Sequence, residues 1–274
     1  MRPPTLRFIL LACAAAVTLP APLESVSVSP MAVYIDHRGR SGEITLFNPG
    51  TRPEEIRLDF AFGYPRTDES GRVVVPISDV APEGEPSAVP WLSAFPQRLR
   101  LQPGQRQTVR ILARPPAGLP EGEYWARALI HAEGGQPPLE SRIDGVGIQI
   151  DLNTTVVIAV NYRNGAVHTG VVMDEPSAWL RNDTTFHEVR VERTGNAAFL
   201  GRLLIEVLAE DGAVLEAAEE VLPVYRVMHR RFITPPVDSG VPVRVRYTVD
   251  TDRDDLPPGG VLPAEPIVRE ILIR

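Results

Sequence analysis

The residues that could do chemistry are few, and their spacing works against it. His187 and Glu188 begin like the zinc-binding helix of a metalloprotease, but Val191 stands where the second histidine belongs, so the ligand pair is missing. His37, His131, His168 and His229 show no ligand spacing, and each is expected to be solvated or hydrogen-bonded. Asp250, Asp252, Asp254 and Asp255 form the one acidic cluster with enough oxygens for calcium. Arg253 interrupts it, and the glycine and closing glutamate of an EF-hand loop are absent. Gly145-Val146-Gly147 is half of a dinucleotide fingerprint, and the alternating isoleucines after it make a strand where a phosphate site requires a helix start. There is no nucleophile elbow and no P-loop. We expect no catalytic residue, no metal ligand and no cofactor.

Composition narrows the partners. All 28 basic residues are arginine, which excludes mechanisms built on a Schiff-base or P-loop lysine. With 35 acidic residues the net charge is −7, so nucleic acid is not an expected partner. Residues 1–24 read as a secretory leader, with Arg2 and Arg7 ahead of an apolar run from Phe8 to Leu19 and cleavage between Ala21 and Ser25. That implies export to the periplasm. Cys13, the only cysteine, sits inside the leader. Leu10-Leu11-Ala12-Cys13 resembles a lipoprotein acceptor, but the apolar run before it is short, and lipidation is the lesser alternative. No later apolar run approaches the ~20 residues needed to span a bilayer, so no membrane-embedded segment is expected in the mature protein.

The elements around these residues are short. Proline (28) and glycine (21) are spread along the chain, which favours strands joined by many turns over helices. Apolar runs recur between turn signals such as Asn48-Pro49-Gly50, Gln102-Pro103-Gly104-Gln105 and Asp211-Gly212. Residues 64–90 form a loop-rich excursion. The longest pattern places Val146, Ile148, Ile150, Leu152, Thr154, Val156, Ile158 and Val160 on one face of a single strand over 146–160. Leu215–Glu220 carries some helix propensity. The length suits two cores. We expect an all-β fold of two consecutive immunoglobulin-like β-sandwich domains, 25–162 and 163–274, joined at Tyr162.

Within the first domain, one ordered set of motifs stands out. It runs Phe95-Pro96-Gln97-Arg98-Leu99-Arg100-Leu101-Gln102-Pro103-Gly104-Gln105, then Val109-Arg110-Ile111, Leu119-Pro120-Glu121-Gly122-Glu123-Tyr124, and the long alternating strand ending in Tyr162-Arg163. This order resembles the PapD-like periplasmic chaperones of pilus and fimbrial assembly. The resemblance implies a protein that stabilises pilus or surface-structure subunits by lending a β-strand, with an outer-membrane usher as a further partner. The implied donor positions are Ile148, Ile150, Leu152 and Thr154. In the family, an arginine and a lysine anchor the subunit's terminal carboxylate; here those positions fall near Ala32 and on Ala159. Arg38, Arg40 and Arg163 are the candidate replacements. A structural or adhesive surface protein built from the same sandwiches stays open as the alternative.

The leader reading has a direct check. Intact-mass spectrometry of the exported protein should find a chain beginning between residues 22 and 25, free of cysteine; a diacylglyceryl group on Cys13 would reverse that expectation.

Overall fold

A computed structural model describes residues 25–135, 139–143, 146–150, 153–182, 184–236 and 241–273; the leader and Cys13 lie outside these residues. The first half contains β1 (Ser27–Ser29), β2 (Ala32–Asp36), β3 (Ser41–Phe47), β4 (Glu54–Ala61), β5 (Arg66–Thr67), β6 (Val73–Val74), β7 (Leu92–Phe95), β8 (Arg98–Leu101), β9 (Arg106–Ala113), β10 (Gly122–Glu133), β11 (Leu139–Ile143), β12 (Val146–Ile150) and β13 (Thr154–Asn164). Two sheets, β1-β3-β9-β7 and β2-β13-β10-β4-β8, face each other. Their alternation explains the core. On β9, Val109 and Ile111 are buried while Thr108 and Arg110 face solvent, and Ile44, Leu46, Leu58, Ile130, Ile158 and Val160 meet them from the other strands. The predicted turn after β8 forms, with Gly104 at φ 71 where a side chain would be strained.

The second half contains β14 (Thr169–Met173), β15 (Ser177–Arg181), β16 (Thr184–Gly195), β17 (Phe199–Leu208), β18 (Val214–Val224), β19 (Val227–Thr234), β20 (Arg244–Asp250) and β21 (Ile267–Leu272). β14, β15 and β19 all pair with β16, and the opposing sheet runs β18-β17-β20-β21. Val189, Val191, Phe199, Leu203, Ile205, Leu222, Val245 and Val249 fill the space between the two sheets.

Two sequence expectations are settled by pairing. Leu215–Glu220 is strand, because β18 lies along β17 from Val214 to Val224 and the tertiary ladder outweighs local helix propensity. Three of the four carboxylates weighed for calcium pair with arginine: Arg202 meets Asp250 at 2.9 Å and Asp252 at 2.7 Å, and Arg253 meets Asp255 at 2.6 Å.

His187 is a core residue. Its Nδ1 lies 2.9 Å from the Tyr247 hydroxyl and its Nε2 3.1 Å from the Thr234 hydroxyl, and its ring stacks on Phe232. Both nitrogens are satisfied by hydroxyls. Burial lowers its pKa from 6.5 to about 4, so the folded protein refuses a proton that the unfolded chain accepts. The stability linked to this histidine is therefore complete above about pH 6.5 and is lost as pH falls toward 4. The loss amounts to about 3 kcal/mol. Denaturant unfolding followed from pH 7.5 down to about 4.5 should show this slope, and it should flatten in His187→Asn.

Candidate strand-donor edge and interdomain joint

β13 is paired unequally on its two edges. Along one edge it runs antiparallel to β10 throughout, from Thr154 opposite Ala132 to Asn164 opposite Gly122. Along the other edge, β2 pairs in parallel only from Ala159 to Arg163. Among the described residues, 154–158 therefore have a ladder neighbour on one side alone. β12 is in the same position: it pairs β11, with Ile150 opposite Leu139 and Ile148 opposite Ser141, and no described strand lies on its other edge. Unpaired N–H and C=O groups in a row are a template for another strand.

The structure corrects the reading of one unbroken strand over 146–160. Asn153 is exposed and outside any strand, so β12 and β13 belong to separate ladders. Ile148 and Ile150 lie on β12, and Leu152 lies outside the described residues. Thr154 opens β13 and is half-buried. Within β13 the alternation persists: Ile158, Val160 and Tyr162 enter the first core, while Val157 stays 38% exposed on the opposite face.

Ala32 and Ala159, the positions that the resemblance assigns to a cationic pair, are direct register partners, so neither side chain can hold a carboxylate. The cation beside them is one that the sequence analysis missed. Arg127 on β10 opposes Ala159; it is 8% exposed, donates from Nε to the Gly63 carbonyl at 3.0 Å and lies 5.8 Å from the Tyr225 ring. No carboxylate of the described residues pairs with it. Its only signal in the sequence is an arginine inside the apolar run Trp125–Ile130.

The three candidate arginines separate. Arg38 is exposed in the β2–β3 turn, where its N–H and that of Gly39 donate to Asp36 Oδ1 at 2.7 and 2.8 Å. Arg40 follows at φ 51 and donates from Nε to the His37 carbonyl at 3.2 Å. Arg163 is already engaged. Its Nε donates to Glu123 Oε2 at 2.8 Å, and its terminal nitrogens donate to the Gly259 and Gly260 carbonyls. It serves a joint between the sandwiches, which leaves no fork for an incoming carboxylate.

Glu123 is the centre of that joint. Its side chain has no exposure, and its Oε1 accepts from Trp125 Nε1 at 3.1 Å and from the Ala198 N–H at 3.2 Å. Around it Tyr64, Trp125 and Tyr225 pack with centroids 4.9 to 5.6 Å apart, joined by Phe62, Ala198 and Leu200. The excursion over 64–90 is a clasp. Glu85 pairs with Arg226 at 2.9 Å, and the His229 N–H donates to Thr67 Oγ1 at 3.1 Å. Tyr162 is not the joint, because period two turns it into the first core against Trp91, while its neighbours Asn161 and Arg163 face the second sandwich.

No family model matches the chain, and no curated protein matches it. Similar solved structures include that of the Salmonella enterica SafA pilin in complex with the SafB chaperone, at 14% identity over 92% of this chain and 99% of that one, TM-score 0.47. The class 5 fimbriae chaperone CfaA shares 10% identity over 91% and 99%, TM-score 0.46. The Pseudomonas aeruginosa CupB2 chaperone shares 14% over 89% and 98%, TM-score 0.40.

Removing one member of a buried ion pair strands the other, so Glu123→Ala should cost about 3 kcal/mol. It should also widen the angle between the sandwiches. Small-angle scattering should register a larger radius of gyration, with Glu123→Gln, which keeps an acceptor for Trp125 and Ala198, in between.

Proposed function

We propose that this is a periplasmic, non-enzymatic binding protein of the chaperone type. It holds a β-rich subunit of a pilus or similar surface structure by lending the open edge of β12 and the first half of β13. The observation that carries the reading is the unequal pairing of β13, covered by β2 from Ala159 onward and, among the described residues, without a neighbour on that edge over 154–158. β12, in a two-stranded ladder of its own, carries Ile148 and Ile150 at alternate positions. Among the described residues, no helix is long and apolar enough to cross a membrane.

A client strand added here would form backbone hydrogen bonds worth about 0.5–1.5 kcal/mol each, and its pockets would take alternate side chains at about 1.5–3 kcal/mol apiece. Backbone pairing supplies affinity for any extended strand, and the side-chain spacing selects the register. Arg127 supports the same reading. A guanidinium almost out of solvent and without a carboxylate partner among the described residues is a costly feature by itself, and an acidic group on the client would complete it.

Ile150→Asp separates lending from mere structure. A charge set into a client's pocket should abolish capture of the subunit while the melting temperature stays within a few degrees of wild type; a large drop in melting temperature with capture intact would reject the donor role. Arg127→Gln should weaken capture about tenfold, since a charge-assisted hydrogen bond is worth on the order of 1.4 kcal/mol.

A further inference from the structure

A cavity of about 340 Å³ opens where β13 leaves the first sandwich, lined among others by Arg40, Pro115, Pro116, Leu119, Tyr162 and Asn164. We propose that it is a binding site for a carboxylate carrying a small apolar group, recognised by the Tyr162 hydroxyl and the Arg40 guanidinium. The proposal stands apart from the strand edge and does not depend on it.

Three observations converge on this cavity. The Tyr162 hydroxyl is buried and has no hydrogen-bond partner among the described residues, which native interiors rarely tolerate. Among the described residues Arg40 donates only from Nε, to the His37 carbonyl, which leaves its terminal nitrogens for the fork that fits a carboxylate. It also holds φ at 51, a conformation unusual for a residue with a side chain, where glycine or asparagine would serve a plain turn better.

The rest of the lining sets the class of ligand. Pro115 and Pro116 carry no N–H, and with Leu119 they form an apolar wall, so polar recognition falls to Tyr162 and Arg40. Asn164 commits its amide nitrogen to the Leu119 and Pro120 carbonyls and holds this loop in place. Asp36 is the one acid in electrostatic reach of the Tyr162 hydroxyl; its Oδ1 is held by the turn, and its charge favours a monoanion over a phosphate dianion. Arg40 and Tyr162 line the same cavity, and among the described residues one 3.2 Å hydrogen bond holds the Arg40 side chain, so its guanidinium can turn toward a ligand there.

Titration of the folded protein with propionate, followed by calorimetry and by the resonances of ring-labelled tyrosine, tests the site. Saturable binding is expected with a dissociation constant on the order of 1 mM, and neutral propionamide should bind about tenfold more weakly. Tyr162→Phe and Arg40→Gln should each weaken propionate about tenfold. Tyr162→Phe should leave the melting temperature unchanged or raised, because it removes an unpaired hydroxyl. A short peptide with a free C-terminus, compared with its amide, identifies the source. If the free peptide outbinds propionate, the ligand is a chain terminus; if propionate binds better, it is a small free acid. Propionate binding no better than propionamide, or unchanged affinity in both variants, would overturn the proposal.

Discussion

The Glu123 carboxylate is fully buried at the joint between the two sandwiches, and much of the architecture answers to that. A carboxylate with no exposure needs its oxygens filled, and here Arg163, the Trp125 indole and the Ala198 N–H fill them. Two of those partners come from the first sandwich and one from the second. The charge is satisfied only when the two halves sit in one relation to each other. The aromatic cluster of Tyr64, Trp125 and Tyr225 adds apolar area to the same contact, but apolar packing has little directional preference, and the geometry is fixed by the hydrogen bonds.

Arginine suits this arrangement in a way that lysine would not. Arg163 meets one carboxylate and two carbonyls at once, and Arg193 reaches the carbonyls of Tyr225, Gly195 and Ala197 from β16. A planar group with five donors can tie several backbone segments together, whereas an ammonium offers a point charge. Cys13 is the only cysteine, so no disulfide can form within the chain, and arginine ties its backbone segments together instead.

Much of the fold was legible in the chain because sandwiches write themselves locally. Val109-Arg110-Ile111 alternates as β9 does, Gln102-Pro103-Gly104-Gln105 turns, and Val146 to Val160 marks the strand positions that matter. What escaped was whatever depends on distant partners. Glu123 and Arg163 are forty positions apart, Arg127 reads as an ordinary interruption, and the loop-rich excursion gives no hint that Glu85 will clasp Arg226. Period two also concealed that Asn153 lies outside any strand, because Ile150 and Thr154 stand an even number of positions apart and keep the same parity.

The first stretch of chain changes sheets at Pro30, pairing as β1 with β3 before it and as β2 with β13 after it. Before Pro30 the backbone is spent on the other sheet: Ser27, Val28 and Ser29 pair with Phe47, Leu46 and Thr45 of β3. Among the described residues, the segment that covers β13 over 159–163 is thus already committed to β3 before it could reach 154–158. Sealing that edge from within would mean giving up the β1–β3 ladder, so one set of backbone bonds would be exchanged for another with no net gain.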